Sequence, residues 1–135
     1  MELDLSSLRK AVDSLDRALK VAAGPATAGQ AEVLRAGVIQ NFEFTYELCW
    51  KFMKRWLEAN SGGPAVDGAT RKELFRLAAE SRLITGVENW FKYHAARNET
   101  AHTCDPDKAG EIFALAGPFA VDARKLLETL ERRND

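Results

Sequence analysis

Residues 38–56 read VIQNFEFTYELCWKFMKRW, and this run decides the fold because its apolar residues recur every three to four positions. That spacing is typical of an α-helix with a buried face. One side carries Val38, Phe42, Tyr46, Cys49, Phe52, Met53 and Trp56, and Ile39, Phe44, Leu48 and Trp50 widen it. Such a wide face fits a central helix that its own neighbours cover, or one that also meets a second copy or a partner.

The rest of the chain divides into helices on either side of this run. The long helix is predicted to extend over about residues 30–60, and an amphipathic helix over residues 5–19 precedes it. TRKE (residues 70–73) and TGVE (85–88) are capping boxes that start two further helices, the second ending near His102. Asp105 and Pro106 then open a last helix.

Composition supports the same fold class. Ala and Leu together number 36, against 10 for Val plus Ile, which favours helices over strands. A length of 135 residues suits one domain, so we predict a single helical bundle domain over residues 1–135. The short connections favour an all-α, up-and-down four-helix bundle with an additional short helix.

Charge and cysteine usage narrow the class of protein. The formal net charge is -1, with 19 basic and 20 acidic residues. The chain therefore lacks the excess of basic residues that is typical of proteins that bind any DNA or RNA duplex. Cys49 and Cys104 have no zinc-finger or disulfide-scaffold spacing and indicate cytosolic thiols. The N-terminus has no signal-peptide pattern, and no apolar run is long enough to cross a membrane. We therefore expect a soluble, cytoplasmic protein with no membrane contact.

Polar residues gather in RNETAHTC, residues 97–104. Histidine can exchange a proton with the 2'-hydroxyl or leaving oxygen of RNA, and arginine can neutralise the phosphorane, without metal. On a regular helix Arg97 and His102 lie about 140° apart, so a joint site requires an unwound helix end or a second chain. The alternative is an ordinary helix end, with His102 on the helix dipole and Arg97 in a salt bridge.

Other chemistry finds less support in the sequence. Glu43 and Glu47 lie one helical turn apart, so they either bind a metal ion or form ion pairs with Lys51 or other basic side chains. We favour the ion pairs and expect no metal site. No nucleotide-binding motif and no serine-hydrolase elbow occurs. We expect the chain to use no cofactor and not to be a nucleotidyltransferase itself.

Two blocks at their mutual distance resemble a known family. GVIQNFEFTYELCWKFMKRWL (residues 37–57) and NWFKYHAARNETAHTCD (89–105) are similar to the nucleotidyltransferase substrate-binding proteins, a HEPN-type group related to the HepT toxins. The resemblance implies a homodimeric bundle that assembles with a minimal nucleotidyltransferase encoded beside it. In the toxin branch, the motif R-x4-H-x-Y carries the ribonuclease arginine and histidine, which correspond to Arg97 and His102.

The last motif position departs from the toxin branch. The family tyrosine there is modified with AMP by the partner transferase, whereas this chain has Cys104. A thiol is not an equivalent acceptor, so the resemblance does not carry nucleotidylation over to this position. Arg97 and His102 are intact, which keeps metal-independent ribonuclease activity open.

The sequence thus leaves three hypotheses. In the first, the chain is the partner and substrate-binding subunit of a minimal nucleotidyltransferase in a HepT-like toxin-antitoxin system, and Trp90, Tyr93, Arg97, Asn98 and His102 contact the substrate or partner. In the second, it is a HEPN ribonuclease toxin that cuts RNA with Arg97 and His102 and is neutralised by that transferase. In the third, it is a purely structural dimeric scaffold.

Overall fold

The structure is a computed structural model that describes residues 2–134, and within that range every regular element is a helix. The elements are α1 (Ser6–Ala22), α2 (Ala28–Ser61), α3 (Gly63–Val66), α4 (Arg71–Glu80), α5 (Val87–Asn98), a 3₁₀ helix (Thr100–His102) and α6 (Pro106–Arg132). The predicted all-α bundle is confirmed. The one-turn α3 is an addition that the sequence did not predict.

Helix α2 is the central element of the bundle. It is 34 residues long and contacts each of the other five α-helices. Thr27 and Gln30 form a reciprocal capping box at its start, and Gly62, with a φ of 90°, ends it. Despite this length, neither α2 nor any other helix within residues 2–134 is apolar enough to cross a bilayer.

Only part of the wide apolar face of α2 is covered. Tyr46, Cys49 and Met53 are fully buried, as the periodicity predicts. Phe44 instead has 60% of its surface exposed, and Leu48, Trp50 and Trp56 are half-buried. The intramolecular core therefore accounts for one side of the helix and leaves a strip of it open.

Two of the predicted helix starts are confirmed and one is wrong. Thr70 accepts a hydrogen bond from the Glu73 amide, and Asp105 accepts one from the Asp107 amide. Thr85 caps nothing, because α5 begins after Gly86, whose φ of 64° lies in the left-handed region. The chain turns sharply there because Leu83 and Ile84 are buried just before it, and glycine tolerates that backbone conformation.

An aromatic cluster at the centre of the core joins α2, α5 and α6. The Phe119 ring lies 5.0 Å from Phe42, 5.9 Å from Trp90 and 5.1 Å from Tyr93, all in edge-to-face geometry. Such pairs add about 0.5–1.5 kcal/mol each beyond their burial. Helix α6 runs without a break through Pro118 to present Phe119 to this cluster.

Candidate functional site

The polar segment at the end of α5 is not the continuous helix that the sequence predicts. α5 ends at Asn98, and the chain tightens into the 3₁₀ helix before Asp105 starts α6. The Thr100 hydroxyl donates to the Arg97 carbonyl at 2.7 Å and so occupies an acceptor that helix continuation would use. The helix thus tightens between Arg97 and His102 instead of unwinding. Of the two ways for these residues to act together, a second chain therefore remains.

Arg97 is held in place from two sides. Its Nε lies 3.2 Å from Glu47 Oε1 on α2, without hydrogen-bond alignment, and its NH1 donates to Thr100 Oγ1 at 3.1 Å. About a third of each partner in the Glu47 pair is exposed. A guanidinium has five N–H donors, so others remain for a phosphate. The expected pairing of Glu47 with a base is found, with Arg97 as the base.

His102 and Asn98 face solvent. Both side chains are exposed, Asn98 as the last residue of α5 and His102 as the last of the 3₁₀ helix. No hydrogen bond joins His102 to Arg97 within the part of the chain that the structure describes. His102 is therefore accessible, and Arg97 is half-buried beside Glu47.

Trp90 and Tyr93 lie behind this surface. Each is only 1% exposed, and Tyr93 Oη donates to Asp122 on α6 at 2.5 Å. Burial, followed by the hydrogen bond to Asp122, raises the pKa of Tyr93. These two rings attach α5 to the core, so direct contact with a substrate or partner is left to the exposed residues of the same helix end.

Cys104 opens onto a groove between the first half of α2 and the start of α6. The groove has a volume of about 920 Å³, and Arg35, Ile39, Glu43 and Thr103 also line it. The thiol is exposed. The position where this chain departs from the toxin branch is thus accessible to a reagent or a partner.

A second polar cluster, which the sequence did not reveal, surrounds His94. Its Nδ1 lies 2.7 Å from Tyr46 Oη, which also accepts a hydrogen bond from Arg71 NH1 at 3.2 Å. Burial is the main reason that the pKa of Tyr46 rises to about 12 and that the pKa of His94 is lowered, and the Arg71 and Lys72 charges lower the latter further. The cluster joins three helices, so no local pattern could have predicted it.

Comparison with known proteins gives consistent matches. A family model described as nucleotidyltransferase substrate binding protein like matches residues 3–132. A Haemophilus influenzae protein named probable ribonuclease HepT is 39% identical over 104 residues, which cover 76% of this chain and 71% of that protein.

Two solved structures share the fold. One, from Haemophilus influenzae, is described as a substrate binding domain of a nucleotidyltransferase. It is 31% identical, with a TM-score of 0.90 over 95% of this chain and 99% of its own. The other, a crystal structure of a Thermus thermophilus protein, is 27% identical, with a TM-score of 0.76 over 91% and 98%.

Proposed function

The chain belongs to the nucleotidyltransferase substrate binding protein like family, and on that premise we propose that it is the partner subunit of a separate minimal nucleotidyltransferase in a HepT-like toxin-antitoxin pair. The observation that supports this most directly is the end of α5. Arg97 is oriented there by Glu47 and Thr100, and Asn98 and His102 are exposed. Such a surface can hold an anionic substrate or contact a nucleotide on the transferase.

The proposed subunit is a homodimer, and an exposed strip on α2 supports this. Val33, Ala36, Gln40 and Phe44 fall on one side of the helix, and the two large apolar members are 72% and 60% exposed. Ala36 is small and lies between the two large apolar residues, so it leaves room for a facing helix. We propose that the strip packs against the same strip of a second copy. In a two-fold interface the same surface meets itself, so both apolar side chains of each copy would be buried at once.

The Phe44→Ser substitution is expected to shift the dimer towards monomer, lowering the association constant at least about tenfold, because it removes a large apolar contact from each side of the interface. Sedimentation velocity over a concentration series measures the change. Val121→Ser, which alters another exposed apolar residue, on α6, is the matched control and is expected to leave association unchanged. An unaltered chain that stays monomeric at high concentration would contradict the proposed dimer.

Metal-independent ribonuclease activity is the second candidate. It is favoured by the end of α5, where Arg97 is oriented by Glu47 and Thr100 and the His102 side chain is exposed. The 39% identical relative is named a probable ribonuclease. In this mechanism His102 exchanges the proton and Arg97 neutralises the phosphorane, with two copies of the pair across the proposed dimer.

Co-expression with the nucleotidyltransferase encoded beside it tests the partner role. We expect the two chains to co-purify through affinity and size-exclusion steps. When ATP is added, we expect Cys104 of the unaltered chain to carry no AMP, as measured by mass spectrometry. The Cys104→Tyr variant restores an accessible hydroxyl at the groove and is expected to gain the mass of AMP, with Cys104→Phe as the control without an acceptor. Failure of the two chains to associate would refute the partner role and, if no cleavage of RNA is seen either, would leave the scaffold hypothesis.

A further inference from the structure

A basic patch lies on α2, α4 and α5, outside the R-x4-H motif. We define the α4 basic patch as Lys51, Arg71, Lys72, Arg76 and His94. None of its four lysines and arginines forms an ion pair with a carboxylate within residues 2–134, where the ion pairs involve Arg9, Arg97, Lys108 and Arg124. The Glu47 carboxylate lies beside them, where it accepts from Trp50 Nε1, but its ion pair is with Arg97. The cations therefore repel one another, and an anion would relieve that repulsion.

Aromatic rings hold these cations in place. Arg71 Cζ lies 3.6 Å from the centre of the Trp50 ring, and Lys51 Nζ lies 5.7 Å from the same ring. Lys72 and Arg76 lie 5.6 Å and 5.4 Å from the Phe91 ring. Contact with an aromatic face restrains a long side chain without using its hydrogen-bond donors. The patch therefore keeps its N–H groups available.

Arg71 is the most constrained member. Its Cζ lies over the Trp50 ring, and NH1 donates to Tyr46 Oη at 3.2 Å. Trp50 is in turn fixed by a hydrogen bond from its Nε1 to Glu47 at 2.9 Å. A planar guanidinium that has been oriented in advance loses little entropy when it binds the two oxygens of a phosphate.

His94 adds a neutral donor to the same place. Because Tyr46 Oη accepts from Arg71, its own proton is available to donate to His94 Nδ1, which is then the unprotonated nitrogen. In that tautomer the neutral ring carries its proton on Nε2. The lowered pKa of His94 keeps the ring neutral near pH 7. The half-buried imidazole can thus donate Nε2–H to an anion beside Arg71.

We propose that the α4 basic patch binds the phosphate groups of a nucleotide, either free or within a single-stranded nucleic acid. Arginine in a fixed plane, a lysine next to it in sequence and an N–H donor from histidine together match the oxygens of a phosphate. The partly exposed Trp50 and Phe91 rings favour a ligand that also carries a base. The site uses none of Arg97, His102 and Cys104. A test of this proposal is therefore independent of a test of the function proposed above.

The two histidines of the chain make the site observable by NMR. In protein with ¹³C-labelled histidine, His94 is assigned by comparison with His102→Ala, and the probes are inorganic phosphate, ATP and a ten-nucleotide oligodeoxyuridylate. We expect the His94 signals to shift saturably with ATP or the oligonucleotide. Tighter binding of the oligonucleotide at equal phosphate concentration would identify a nucleic acid strand as the ligand. Tighter binding of ATP would identify a free nucleotide as the ligand.

Matched variants decide whether the patch is responsible. Arg71→Gln and the exposed Lys72→Gln are each expected to weaken binding at least about tenfold, since each removes a charge-assisted hydrogen bond. Lys20→Gln, at the end of α1, removes the same charge elsewhere and is expected to change affinity less than about twofold. Equal losses in all three variants, or no shift of His94 with any probe, would overturn the proposal. Lys72→Gln keeps the test valid if Arg71→Gln disturbs the packing around Trp50.

Discussion

Replacing His102 or Arg97 by alanine is expected to lower metal-independent RNA cleavage by the free chain at least about 100-fold. General acid-base catalysis by one positioned side chain contributes about 10²–10⁴-fold, and His102 is the exposed proton-transfer group of the motif. Arg97 contributes the charge that neutralises the phosphorane, and the Glu47 and Thr100 contacts orient it. Both changes therefore act on the transition state more than on RNA binding.

The assay follows cleavage of an end-labelled RNA in the presence of EDTA, with circular dichroism and sedimentation as checks of fold and association. Lys92→Ala is the control, because Lys92 is an exposed base on α5 that takes no part in the motif. Arg97→Lys keeps the charge but loses the planar fork, so it is expected to recover only part of the activity. Cleavage at the original rate in His102→Ala would rule out the ribonuclease mechanism, even if the chain still binds its transferase.

The Phe119→Ala substitution is expected to lower the free energy of unfolding by about 3–5 kcal/mol, the usual cost of removing a buried phenylalanine. Phe119 is fully buried and contacts Phe42, Trp90 and Tyr93 from α6. Since small proteins are stable by only about 5–15 kcal/mol, the loss would remove a large part of the total. It would also loosen the anchorage of α5 and so the position of the motif.

Urea unfolding followed by tryptophan fluorescence measures this loss. Val121→Ala, two residues further along α6 and 55% exposed, is the matched control and is expected to stay within about 0.5 kcal/mol of the unaltered chain. A loss below about 1.5 kcal/mol for Phe119→Ala would show that the aromatic cluster is not the main support of the core. In that case Trp90 and Tyr93 would not be held as rigidly as their burial indicates.

Much of the fold was predictable from local patterns. The apolar spacing in residues 38–56 identified the central helix, and the Thr70 and Asp105 caps marked two of the helix starts. The predicted cap at Thr85 was wrong because the capping pattern competes with a sharp turn at Gly86 that buries Leu83 and Ile84. A cap contributes about 1 kcal/mol, which is less than the burial of two aliphatic side chains.

The candidate site was predictable in its residues but not in its geometry. The spacing of Arg97 and His102 is a property of the chain, and the resemblance of two sequence blocks to a family raised it above chance. The orientation of Arg97 depends on Glu47, which is 50 positions away in the sequence and comes from another helix. The change from α-helix to 3₁₀ helix at Thr100 likewise depends on a side-chain hydrogen bond that competes with the α-helix.

The sequence by itself determined the helical class, the central helix and the family, because periodicity and motif spacing are local properties of the chain. Only the tertiary structure decided which polar residues are exposed at the end of α5, and that Trp90 and Tyr93 are buried behind them. It alone brought Tyr46, Arg71 and His94 together from three helices, since contacts between distant residues arise when the apolar faces pack. The packing of α2 against α4 and α5 places Glu47 beside Arg97 and Tyr46 beside His94 and Arg71.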